Sequence, residues 1–110
     1  MTNPPQIRPA DLADDAVLLD VREQDEWDLG HAPGAVHIPL GDLPARIAEL
    51  PVTDAAPLAV ACRVGGRSAQ AVAWLSQQGL DVVNLDGGMM AWDAAGKQMV
   101  AQGTEAPRVK

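Results

Sequence analysis

The chain has one cysteine, Cys62, and it heads the run Cys62-Arg63-Val64-Gly65-Gly66-Arg67-Ser68. Gly65 and Gly66 lack the Cβ atoms that would stop successive amides from curling toward one centre. A turn of that kind is an anion-binding nest. Arg63 and Arg67 are the only Lys or Arg between Val52 and Gly96, so the run is a local cationic site in an acidic chain. A free cysteine, pKa about 8.5, is only a few per cent thiolate at neutral pH, and bringing it to about 6.5 takes roughly 2.7 kcal/mol. Oriented amides, the free N–H groups of a following helix and two guanidinium groups can supply that much. The predicted chemistry is a nucleophilic sulfur in a shallow cationic bowl.

By position alone Cys62 reads as a small buried hydrophobe at the end of an apolar strand. Glycines alone are turn residues, and Arg67 alone is a surface cation. The combination favours the nucleophile, because a purely structural strand-to-helix link needs neither the glycine pair nor the arginines. Other loop chemistries fit worse. No Gly-Lys-Ser/Thr follows, as a nucleotide phosphate loop requires. One cysteine and two histidines, His31 and His37, lack metal-ligand spacing, so neither a metal nor another cofactor is expected. His37 reads as packing or solvent-facing, and neither histidine can be assigned as a base for Cys62.

Short apolar runs alternate with amphipathic ones around this loop. Strands are expected over Ala16–Val21, Ala35–Ile38, Leu58–Ala61 and Asp81–Leu85, and helices over Glu23–Leu29, Leu43–Leu50, Ser68–Gln78 and Met89–Ala95. That alternation predicts an α/β domain with a mostly parallel sheet covered on both faces. The cysteine loop then lies at the carboxyl edge of the strands, where open α/β sheets bind ligands. Asp20 ends a strand at the same edge, where it either orients polar groups near Cys62 or, preferably, pairs with or caps Arg22. Gly30 and Gly34 read as turn positions needing unusual backbone angles. Trp92 reads as core, Trp74 as core or helix face, and Met89 and Met90 as packing. Residues 1–5 form a loose leading segment, 6–96 the domain, and 97–110 a loose polar tail.

A chain of 110 residues makes one domain. Phe and Tyr are absent, so aliphatic side chains and Trp27, Trp74 and Trp92 must fill the core. Eight basic against fifteen acidic residues give a net charge of −7, which argues against nucleic acid or an anionic membrane as partner. No uncharged stretch approaches the roughly 20 apolar residues of a membrane span. The first residues carry no basic-then-apolar signal pattern, and a lone cysteine forbids a disulfide framework; both are expected of a reducing cytoplasm.

With these residues on the page, the chain resembles the single-domain rhodaneses, the thiosulfate sulfurtransferase-like family, from about Gln6 to Gly96. Three motifs in the family's order carry the resemblance. They are Leu18-Leu19-Asp20-Val21-Arg22 with Glu26-Trp27, Gly30-His31-Ala32-Pro33-Gly34-Ala35 and Ile38-Pro39; the loop Cys62–Ser68; and Leu85-Asp86-Gly87-Gly88 with Trp92. Ala32 departs from the larger aliphatic residue more usual there, which touches packing rather than chemistry. The resemblance implies a three-layer α/β/α fold with a five-stranded, mainly parallel sheet. It implies that Cys62 takes the outer sulfur of thiosulfate or a persulfide donor, becomes a persulfide, and passes that sulfur to cyanide, a thiol or a protein. Amides from Arg63 through Val64, Gly65 and Gly66 to Arg67 would cradle the sulfur, Arg63 would attract the anionic donor, and Arg67 would brace the loop, with Ser68, Asp20 and Arg22 in support. Fold-related phosphatases have a loop one residue longer, so this one suits a single sulfur better than a phosphoryl group. A sulfur relay between proteins, or a non-catalytic regulatory module, are the other roles the resemblance allows.

Overall fold

Strand β4 (Leu58–Ala61) is apolar and buried at every position, as a strand covered on both faces must be. In the computed structural model, which describes residues 4–51 and 56–110, β4 lies at the centre of a five-stranded sheet. The others are β1 (Gln6–Ile7), β2 (Leu18–Asp20), β3 (Ala35–His37) and β5 (Val82–Leu85), in the order β1-β5-β4-β2-β3. Every pairing is parallel, with Asp20 opposite both Ala61 and His37. The helices are α1 (Gln24–Leu29), α2 (Leu43–Arg46), α3 (Gly66–Gln77) and α4 (Gly88–Ala94).

Side chains alternate across the sheet and so build two cores. Leu19, Leu58 and Val60 face α3 through Ala71, Val72 and Leu75, with Leu43 of α2 and Ile38 beside them. Leu18, Ala59, Ala61, Val83 and Leu85 face Met89 and Trp92 of α4. The expected α/β/α class is what the chain adopts.

Three expectations need correction. The helix expected over Leu43–Leu50 breaks at Arg46 (φ −119°, ψ 19°) into α2 and a 3-10 turn over Ile47–Glu49, and Leu50 is already extended before Pro51. The tail is docked rather than loose: Met99 and Val109 pack on the α4 core, Val100 bridges His31, and the Lys97 ammonium reaches the Leu12 carbonyl and Asp14. Its apolar residues are too far apart to form a period, yet Met99 and Val109 find sites on a surface built by other elements. Gly30 and Gly34 are glycines because of contact, not backbone angle. Gly30 is extended (φ 171°), and a Cβ would lie 2.5 Å from the Arg108 carbonyl oxygen; at Gly34 it would lie 2.4 Å from that of Asp15.

The fifth strand, β1, comes from a stretch crowded with prolines. It holds an edge, where missing N–H donors are tolerated, and its register sets Gln6 opposite Asn84. Residues 1–3 of the leading segment lie outside the described residues.

Candidate active site

β4 delivers the chain to Cys62, and α3 leaves from Gly66 three residues after Arg63. The reversal needs Gly65 in the left-handed region (φ 112°), a conformation that costs a residue with a Cβ dearly. It turns the Gly65 amide back onto Cys62, where it donates to Sγ at 3.0 Å. The hydroxyl of Ser68, in the first turn of α3, lies 3.3 Å from the same sulfur. Below, the Met89 amide at the start of α4 donates to the Cys62 carbonyl at 2.8 Å and so fixes the residue's backbone.

Burial pushes the Cys62 thiol up, since Cys62 has no solvent-exposed surface. The Ser68 hydroxyl and the amides of Ser68, Gly65 and Val64 act the other way, and the net result is a pKa below the ordinary cysteine value. The site contains the dipoles expected from the sequence, and Arg67 interacts electrostatically with Cys62. Arg67 pairs with Glu26, donating from Nη1 and Nη2 at 2.7 and 2.8 Å. Arg63 is exposed, and its Nε donates to the Lys110 backbone oxygen at 2.9 Å, beside a Lys110–Asp25 ion pair. Both guanidinium groups hydrogen-bond to other partners, and the hydrogen bonds to the sulfur come from N–H and O–H donors.

Asp20 and Arg22 form a separate buried unit. Arg22 donates from its amide and Nε to Oδ1 of Asp20, and from Nη2 to Oδ2 at 2.8 Å and to the Gly30 carbonyl at 2.7 Å. The pair-and-cap reading of Asp20 holds, and its role lies in tying β2 to the turn after α1. His37 Nε2 donates to the Arg22 carbonyl and His31 Nδ1 to that of Trp27, while the Trp27 ring stacks on both imidazoles at 3.5 Å (His31) and 4.8 Å (His37). Both histidines are thus packing elements. Among the described residues no cluster of His, Cys, Asp or Glu could hold a metal ion.

Two residues of the site carried no functional reading in the sequence. Glu26 appeared only as part of a motif, because its partner Arg67 lies 41 positions away. Asn84 was hidden in β5, although a carboxamide in an otherwise apolar strand (Val82-Val83-Asn84-Leu85) is itself a signal. It accepts from Ser68 and donates to the Gly65 carbonyl and to Gln6. Asn84 also lines an open depression of about 430 Å³ beside the loop, with Gln6, Val64, Gly65 and Asp86.

Comparison with known proteins agrees with this geometry. The family model described as Rhodanese-like domain matches residues 9–95. A sulfurtransferase of Allochromatium vinosum is 41% identical over 93 residues, covering 82% of this chain and 85% of that protein. The thiosulfate sulfurtransferase GlpE of Ectopseudomonas mendocina is 37% identical over 91 residues, 82% of each chain. The crystal structure of a rhodanese-related protein from Thermoplasma volcanium superposes with a TM-score of 0.77 at 35% identity, covering 87% of this chain and 97% of that one. With the loop, the sheet order and the match all concerning the same residues, the chain belongs to the rhodanese-like domain family.

Proposed function

We propose that this protein is a sulfurtransferase that carries a sulfane sulfur as a persulfide on Cys62. The observation that supports this most is the pair of donors aimed at one sulfur, the Gly65 amide and the Ser68 hydroxyl, at the N-terminus of α3. Dipoles fixed around a lone thiol favour its anion, and the thiolate is the attacking species. In the first half-reaction Cys62 attacks the outer sulfur of thiosulfate; the new S–S bond forms as the donor's own breaks, and sulfite leaves with the bonding pair. In the second, a thiolate, cyanide or a protein acceptor attacks that outer sulfur and returns Cys62 as thiolate. The amides of Val64, Gly65 and Ser68 hold the charge in both resting and loaded states.

Arg63, exposed at the rim, meets the anionic donor by displacing the Lys110 oxygen, and Arg67, held by Glu26 of α1, braces the loop. Cys62 is closed to solvent at rest, so sulfur uptake opens the rim around Val64, whose side chain is 57% exposed. Four residues between Cys62 and Arg67 form a loop sized for sulfur rather than phosphoryl. A thiol that must stay reduced fits the cytoplasm, and an acidic surface fits neither nucleic acid nor an anionic membrane. Among the described residues no helix is long and apolar enough to cross a membrane.

Mass spectrometry after incubation with thiosulfate tests the proposal directly. The protein gains the mass of one sulfur atom, cyanide removes it, and Cys62→Ser gains nothing. No adduct with thiosulfate or with a small-molecule persulfide overturns the catalytic reading in favour of a binding module.

A further inference from the structure

The hydroxyl of Ser68 has one proton and two acceptors in reach. Its Oγ lies 3.3 Å from Cys62 Sγ and 2.5 Å from Asn84 Oδ1. Both polar residues are buried, Ser68 completely and Asn84 to within 3%. The orientation of the Asn84 amide is determined by its other end: Nδ2 donates to the Gly65 carbonyl and to Gln6 Oε1, each at 3.2 Å. Reversing the amide would set Oδ1 against two acceptors, so Oδ1 must face Ser68. Gln6 is the residue paired with Asn84 across β1 and β5, so the edge strand fixes this arrangement.

Two protonation states of the chain follow. In the thiol state, S–H donates to Ser68 Oγ, Ser68 donates to Asn84 Oδ1, and every group is satisfied. In the thiolate state the Ser68 proton turns to the sulfur, and Asn84 Oδ1 is left buried without its donor, which is costly. We propose that Asn84 is a positioning residue for the sulfur chemistry: by claiming the single Ser68 hydroxyl proton it opposes ionisation of Cys62 and so restrains the resting sulfur. The inference rests on the sulfurtransferase reading for its purpose, but its content is a property of the free protein. The charged groups around the sulfur are Arg67 with Glu26 of α1, Arg63 with Lys110 of the tail, the Asp20–Arg22 pair ending β2, and Asp86 following β5. None of these groups is among the hydrogen-bond partners of the Asn84 side chain, which are Ser68, Gln6 and Gly65.

The test is an ultraviolet titration of the thiolate. With one cysteine and no tyrosine in the chain, Cys62→Ser supplies a clean blank. Asn84→Ala lowers the midpoint, with the acid dissociation constant rising roughly tenfold for one released buried hydrogen bond. In a Ser68→Ala background the same change has no effect, because no hydroxyl proton remains to be released. A midpoint that is unchanged or raised in Asn84→Ala overturns the proposal, as does an equal fall in both backgrounds, which would mean that Asn84 acts through loop geometry. Should Asn84→Ala fail to fold, Asn84→Val, which removes the same acceptor and keeps an apolar strand residue, is read by the same outcomes in both backgrounds. Sulfur transfer is not measured here, so this inference and the sulfurtransferase reading fail separately.

Discussion

Glu26 grips Arg67 with both carboxylate oxygens, Oε1 to Nη1 at 2.7 Å and Oε2 to Nη2 at 2.8 Å, and so ties α1 to the first turn of α3. The same Oε1 accepts the Glu23 amide at 3.1 Å, closing the capping box of α1. One side chain thus caps the start of one helix and steadies the loop that starts another. A two-point ion pair of this kind is stronger and more directional than a simple contact. Arg67 remains one-third exposed, so solvent screening limits its worth.

Glu26→Gln is therefore expected to lower stability by about 0.5–1 kcal/mol, as the charged pair is lost while the Gln carbonyl still accepts the Glu23 amide. Urea unfolding measures this, and a change below about 0.3 kcal/mol would show that the pair is energetically idle. The pH dependence has a definite sign. The Arg67 hydrogen bonds hold the Glu26 carboxyl below its ordinary value near 4.5 against the opposing effect of burial. A depressed acid stabilises the fold above that value and loses its contribution as pH falls through the folded-state pKa. Glu26→Gln thus flattens the stability profile below about pH 4.5 and leaves its slope near neutrality unchanged.

Single-turnover sulfur uptake from thiosulfate should rise with pH and level off below the ordinary cysteine value of about 8.5, since the Ser68 hydroxyl and loop amides outweigh burial in setting the Cys62 thiol. By linkage, the fold gains stability as pH rises from the folded-state pKa toward 8.5, and Cys62→Ser lacks this gain. A rate that tracks an unshifted thiol would remove the dipole cradle from the mechanism.

Arg63→Ala should raise the KM for thiosulfate about three- to tenfold and leave kcat for bound donor nearly intact, with the difference shrinking at high salt as charge attraction is screened. Steady-state kinetics at two ionic strengths provide the check. An unchanged KM means that Arg63, already held by the Lys110 oxygen, takes no part in donor capture.

Gly30→Ala and Gly34→Ala should each destabilise by more than about 2 kcal/mol, because the added methyl would stand 2.5 and 2.4 Å from a carbonyl oxygen of rigid backbone. Gly41→Ala is the control: nothing lies within 4 Å of a Cβ there, and a change within about 0.5 kcal/mol is expected. Thermal unfolding compares the three. Tolerance at Gly30 would mean that Arg108 and the tail are not firmly seated against α1.

What the sequence determined by itself was local. Short, mostly apolar runs marked β2, β3, β4 and β5 within a residue or two, because strands of a sheet covered by helices are largely apolar. Gly65 beside Cys62 announced a dipole-lined loop, because its left-handed backbone (φ 112°) favours glycine. Tertiary structure decided the rest through contacts distant in the chain. It paired Arg67 with Glu26 and Arg63 with the Lys110 backbone, and it seated Met99 and Val109 on the α4 core. It also paired Gln6 with Asn84, and through Asn84 reached Ser68. None of these leaves a period or a spacing to read, since a hydrogen bond between residues far apart in sequence depends only on where the sheet and helices bring them.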